Sequence, residues 1–193
     1  MIFQNRLFYI LLISVLSMVV ISGCSQQKNP SIVQTDSITP TSGFSSYENP
    51  IQGIKVNYPF DWSIKENIGV VAVVFLSSKS GSSDQFQENV NIIVQDISSE
   101  SITLKKYTES NMDDIKKNPD ASLIDSGEMT LGGSPGYKVV YSAKKSPFNL
   151  QVFQAWTIKN SKIYLISYTA EVSKYQDHLN SVIQMLNSFE ILK

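Results

Sequence analysis

Cysteine occurs once and histidine once in the 193 residues. A single cysteine excludes an intramolecular disulfide and a Cys-rich metal site. A single histidine, His178, leaves almost nothing from which to build a histidine-based catalytic or metal centre. Charge of one sign is equally scarce: 16 Lys and Arg are interleaved with 17 Asp and Glu for a net charge of -1. That balance gives no electrostatic footprint for nucleic acid or for anionic lipid headgroups. No apolar run reaches the roughly 20 residues that a helix needs to span a bilayer. What is present, 42% hydrophobic residues in a chain of this length, suffices for one well-cored domain with additional segments.

The sole cysteine has a specific setting. Arg6 precedes an apolar or weakly polar run from Leu7 to Ile21, which ends in Ser22-Gly23-Cys24, the layout of a secretory signal peptide. Ile21-Ser22-Gly23-Cys24 resembles the lipobox of prokaryotic lipoproteins, in which small side chains admit a peptidase and the thiol is alkylated by a diacylglyceryl group. The resemblance implies cleavage of residues 1–23, lipidation of Cys24, and attachment to the membrane on its extracytoplasmic face. Two acyl chains on one residue supply stable anchoring. The competing reading is a signal anchor that happens to end in a cysteine. Between Ser25 and Ser46, 9 of 22 residues are Ser or Thr, and Pro30 and Pro40 interrupt any regular element. Such a stretch buries too little apolar surface to offset its chain entropy, so 24–46 reads as a disordered tether and 47–193 as the folded domain.

Within that domain, alternation of Val, Ile, Tyr and Phe predicts strands at Ile54–Tyr58, Val70–Leu76, Val90–Gln95, Ser126–Leu131, Gly136–Ala143, Leu150–Ile158 and Ile163–Ala170. A first helix is predicted between Thr103, its cap, and Pro119, with Leu104, Tyr107, Thr108, Asn111, Met112 and Ile115 on one side. A C-terminal amphipathic helix follows Ser173, with Tyr175, Leu179, Val182, Ile183, Leu186 and Phe189 forming its apolar stripe. This pattern predicts an α+β domain with a central antiparallel β-sheet flanked by helices. The loop SSKSGSSDQFQE has hairpin content and a length that suits mobility.

Catalytic chemistry finds few candidates. His178 adjoins Asp177 on the polar side of the last helix, without a Ser or Cys nucleophile in a catalytic context, and reads as a solvated surface residue. Asp113, Asp114, Asp120, Asp125 and Glu128 are candidates for a hard cation such as calcium, although no D-x-D-x-D-G loop is present and Lys116 and Lys117 offset their charge. Leu131-Gly132-Gly133-Ser134-Pro135-Gly136 lacks the lysine and helix of a P-loop and reads as a tight turn. Trp62 and Trp156, with Tyr58, Phe60, Tyr137 and Tyr141, either line a pocket or fill the core.

The segments YENPIQGIKVNYPFDWSI, LKKYTESNMDDI, LGGSPGYKVVYSA, QVFQAWTIKNSKIYLISYTAE and SVIQMLNSFEI together resemble the PsbP-like domain family. Gly53, Tyr58, Pro59 and Trp62 stand where such domains open with Gly-x-x-x-x-Tyr-Pro-x-x-Trp. The resemblance implies a central antiparallel sheet with helices on both sides. It also implies a membrane-peripheral protein of the photosystem II oxygen-evolving complex type, associated with calcium binding, or one of the related prokaryotic lipoproteins. The lipobox and tether suit the lipoprotein branch. The functional expectation is a non-enzymatic module that binds a protein partner or stabilises a membrane complex, and the alternative is an ion- or small-solute-binding lipoprotein. Neither involves nucleic acid.

Overall fold

The computed structural model describes residues 43–193. The expected signal peptide, Cys24 and the tether up to residue 42 lie outside the described residues. Among the described residues the order is β1 (Phe44–Asn49), β2 (Ile54–Pro59), β3 (Ser63–Ile68), β4 (Val71–Leu76), β5 (Asn89–Asp96), α1 (Leu104–Lys117), β6 (Ala121–Leu131), β7 (Ser134–Lys145), β8 (Phe148–Lys159), β9 (Lys162–Glu171), α2 (Tyr175–Ser188) and β10 (Glu190–Ile191). Seven strands form an antiparallel sheet in the order β3-β4-β5-β9-β8-β7-β6, and β1-β2-β10 form a small second sheet. The predicted α+β class and both helices are present. No described helix is long and apolar enough to cross a membrane.

Alternation along the central strands explains the layering. Phe75, Val90, Ile92, Ile166 and Tyr168 point to one face, where they meet α2 and the small sheet through Val182, Met185, Ile54 and Val56. Val74, Ile93, Leu165, Val152 and Trp156 point to the other, where Tyr107 and Ile115 of α1 join them. A sheet covered on both faces needs strands that are apolar on both sides, and β4 is buried along its whole length. Each large side chain so buried contributes about 1.5–3 kcal/mol.

Three expectations are corrected here. Phe44–Ser46, placed in the tether by composition, are the first half of β1, which pairs with Asn57, Tyr58 and Pro59 of β2. Short polar strands of this kind are held by a neighbour's ladder and leave little apolar signature. Asn49–Gly53 is accordingly a hairpin turn, with the Gly53 amide donating to the Asn49 carbonyl at 2.8 Å. Ser173 does not cap α2: Lys174 occupies that position and makes no side-chain cap bond. On α2, Met185 is buried while Ile183 is 43% exposed, because the buried arc is centred on Val182 and places Ile183 at its rim. Thr103 does cap α1, its side chain accepting from the Lys106 amide at 3.3 Å.

The β6–β7 connection is a two-residue turn in which Gly132 and Gly133 have φ of 55° and 71°, the signs that a hairpin turn of this length demands. A phosphate cradle is not required to explain these glycines. A Cβ on Gly132 would also approach Ile191 Cγ1 to 2.9 Å, so the turn packs directly beneath β10.

Candidate functional site

The β4–β5 loop folds back onto the start of α2 through charge. Lys174 Nζ lies 2.9 Å from Asp84 Oδ1, 3.5 Å from Glu171 Oε2 and 3.9 Å from Glu88 Oε1. Burial alone would raise the Asp84 carboxyl, but hydrogen bonds from Ser80 and Lys174 hold it near 2. At Glu88 burial wins, pushing its carboxyl up despite the nearby ammonium. The Lys174 ammonium is stabilised by its bond to Asp84. A loop expected to suit mobility is thus tied to the domain at Asp84.

Beside this cluster, Ser78 Oγ donates to the Asp61 carbonyl at 2.9 Å and brings the loop against the segment carrying Trp62. The buried Trp62 indole meets the His178 ring edge-on, with centroids 5.4 Å apart and planes at 84°. His178 is therefore half-buried against an aromatic rather than solvated, because the chain between β2 and β3 crosses over that part of α2.

Trp156 belongs to the opposite face. Its ring is fully buried, packs edge-on against Tyr107 at 6.0 Å and near Tyr137 at 5.7 Å, and donates from Nε1 to Thr108 Oγ1 at 2.9 Å. Trp62 and Trp156 lie in separate cores on either side of the large sheet, so they do not share a pocket wall. Of their candidate companions, Tyr58 packs with Trp62's core, Tyr137 and Tyr141 lie on the Trp156 side, and Phe60 is exposed.

The candidate metal ligands do not converge either. Asp113 pairs with Lys117 at 3.6 Å, and Asp125 pairs with Lys138 at 2.5 Å across β6 and β7. Burial raises the Asp114 carboxyl. Asp120 lies in the turn between α1 and β6, and Glu128 sits further along β6, opposite Tyr137. Among the described residues no group of three or more His, Cys, Asp or Glu could hold a metal ion. The acidic residues considered as candidates for a hard cation are thus not brought together into one donor set.

The structure adds a feature that the sequence reading did not single out. Asn89, Asn91, Gln154, Ser167 and Thr169 are buried on the α1 side of the sheet. Their only sequence signal is an alternation of polar residues within otherwise apolar strands, as in Asn89-Val90-Asn91.

A seven-stranded antiparallel sheet between one helix and a helix plus small sheet, with charged and polar groups gathered at a loop-covered end, defines an α+β domain of the PsbP-like class. The PsbP-like protein family model matches residues 7–191, and the chain belongs to that family. Solved structures share the fold at low identity. The cyanobacterial PsbP (CyanoP) of Synechocystis sp. PCC 6803 matches with a TM-score of 0.57 and 16% identity, over 82% of this chain and 98% of its own. LpqN of Mycobacterium tuberculosis, described as involved in cell envelope biogenesis, matches at 0.56 and 13%, over 80% and 88%. The Saccharomyces cerevisiae Ran-binding protein Mog1p matches at 0.54 and 8%, over 78% and 96%. No curated protein matches the sequence.

Proposed function

We propose that this protein is a lipid-anchored, extracytoplasmic module without enzymatic activity, which binds a protein partner or stabilises a complex at the membrane surface. The observation that carries the anchoring is the position of the only cysteine, Cys24, directly after an apolar run and two small residues. The Ser- and Thr-rich segment after it then serves as a tether, long enough to hold the domain on the order of 25 Å from the bilayer. Binding rather than catalysis is supported by the chemistry described above: His178 faces an indole, and Lys174 is committed to three carboxylates. It is also supported by the fold shared with Mog1p, a Ran-binding protein.

Cys24→Ser tests the anchor by membrane fractionation and by the mass of the processed chain. The expected result is release of the domain or accumulation of an unprocessed precursor. Normal processing with full membrane retention refutes the anchor. Crosslinking with mass spectrometry on native membranes tests the binding reading, and the expected result is one recurrent protein partner joined to domain lysines.

A further inference from the structure

Strand register lays five uncharged polar side chains next to one another on the face of the large sheet that α1 covers. Asn91 of β5 is opposite Ser167 of β9, which is opposite Gln154 of β8, and Asn89 is opposite Thr169 one row away. Each is 3% exposed or less. Apolar residues close both ends of the Asn91 row, Val74 beside Asn91 and Val139 beside Gln154.

Some of this patch is internally satisfied. Gln154 Nε2 donates to Ser167 Oγ at 3.0 Å, and Asn89 Nδ2 donates to the Gln87 carbonyl at 3.1 Å. Among the described residues, however, Asn91 Oδ1, Asn91 Nδ2 and Asn89 Oδ1 are fully buried with no hydrogen-bond partner. Buried amides are paired in nearly all folded proteins, since an unmet donor or acceptor keeps its desolvation cost without return. Three such atoms lie on neighbouring residues of one strand face, with hydrogen-bonding capacity that no group of the described residues meets.

We infer that this patch binds a small uncharged molecule carrying a carboxamide group, whose N–H and C=O pair with the carboxamide of Asn91. The patch contains no ionisable side chain, so a charged ligand would lose its hydration without compensation. Asn91 offers a donor and an acceptor from one planar group, which an amide meets with two parallel bonds. Asn89 and Asn91 are about 7 Å apart along the strand, a separation that suits a small molecule. The β4–β5 loop borders the patch, with the Gln87 carbonyl on Asn89 and Phe86 against Phe148 at 5.2 Å. This site stands apart from the partner-binding proposal and shares none of its supporting observations.

The test is a titration of 15N-labelled full-length protein in detergent with N-methylacetamide, with acetate and methylammonium as charged comparators. The side-chain NH2 resonances of Asn91 and Asn89 should shift saturably with the amide and remain still with both ions. Asn91→Leu should abolish saturation while leaving the rest of the spectrum folded. Should that variant not fold, Ser167→Ala should weaken binding several-fold. Shifts that do not saturate, equal shifts with acetate, or contacts from Asn91 to long-lived water with no response to the amide would each overturn the inference.

Discussion

Lys174 Nζ and Asp84 Oδ1 meet at 2.9 Å and join the entry of α2 to the middle of the β4–β5 loop. The Asp84 and Glu88 side chains around it are almost fully covered, at 3% and 2% exposure. Lys174→Met is expected to destabilise the domain by about 3 kcal/mol, since it strands two carboxylates without their cation. Lys174→Arg should restore most of that loss in thermal unfolding.

Acid should loosen the same tie. The Asp84 carboxyl falls from its ordinary 3.8 to about 2 in the folded domain, so its contribution is complete above pH 3.8 and is lost as pH falls through 2. Asp84→Asn is expected to lower stability at pH 7 by about 1–2 kcal/mol, with solvent screening at the loop allowed for, and to flatten this acid limb. Glu88 has the opposite sign. Its carboxyl is raised, so ionisation costs stability as pH climbs past the ordinary 4.5, and Glu88→Gln should remove that decline. Urea denaturation from pH 2 to 8 reads both effects.

On the other face, Thr108 is the hydrogen-bond partner of a fully buried indole. Thr108→Val keeps the shape of the side chain and removes the acceptor, leaving the Trp156 N–H unmet. The expected loss is about 1–3 kcal/mol in urea denaturation, and Thr108→Ser should recover it.

Gly136 lies in β7, where an added Cβ would come within 2.6 Å of the Trp156 carbonyl oxygen. Backbone cannot move aside as a flexible side chain can. Gly136→Ala should therefore cost about 2 kcal/mol or more, whereas Gly127→Ala, with nothing within 4 Å of its new methyl, should be close to neutral. Paired thermal melts of the two variants check this.

What was legible in the sequence followed burial. The central strands and both helices declare themselves because their Val, Ile, Tyr and Phe repeat at two or at three to four residues. Edge strand β3 reads Ser-Ile-Lys-Glu-Asn-Ile, and β1 reads Phe-Ser-Ser-Tyr-Glu-Asn; both are largely polar and draw their order from a paired neighbour. Single-sequence periodicity has no view of such pairing. The candidate site was less legible for the same reason. Asn91 in Val90-Asn91-Ile92 looks like an outward polar residue, and only the register of β9 and β8 shows that Ser167 and Gln154 share its buried row. Trp62 and Trp156 look equivalent along the chain until the sheet separates them.

The small sheet joins distant parts of the described chain, since β1 and β10 both pair with β2. The β1–β2 hairpin can form from local contacts alone, but a two-stranded ribbon is marginal in water. It gains its third strand only when Glu190 and Ile191 return and the Leu192 amide reaches the Gly53 carbonyl, at 2.9 Å. The first and last strands should therefore acquire order together, late and cooperatively, as contacts between remote segments do. Trimming the chain before Glu190 would then weaken the hairpin at Phe44–Pro59, more than 130 residues upstream.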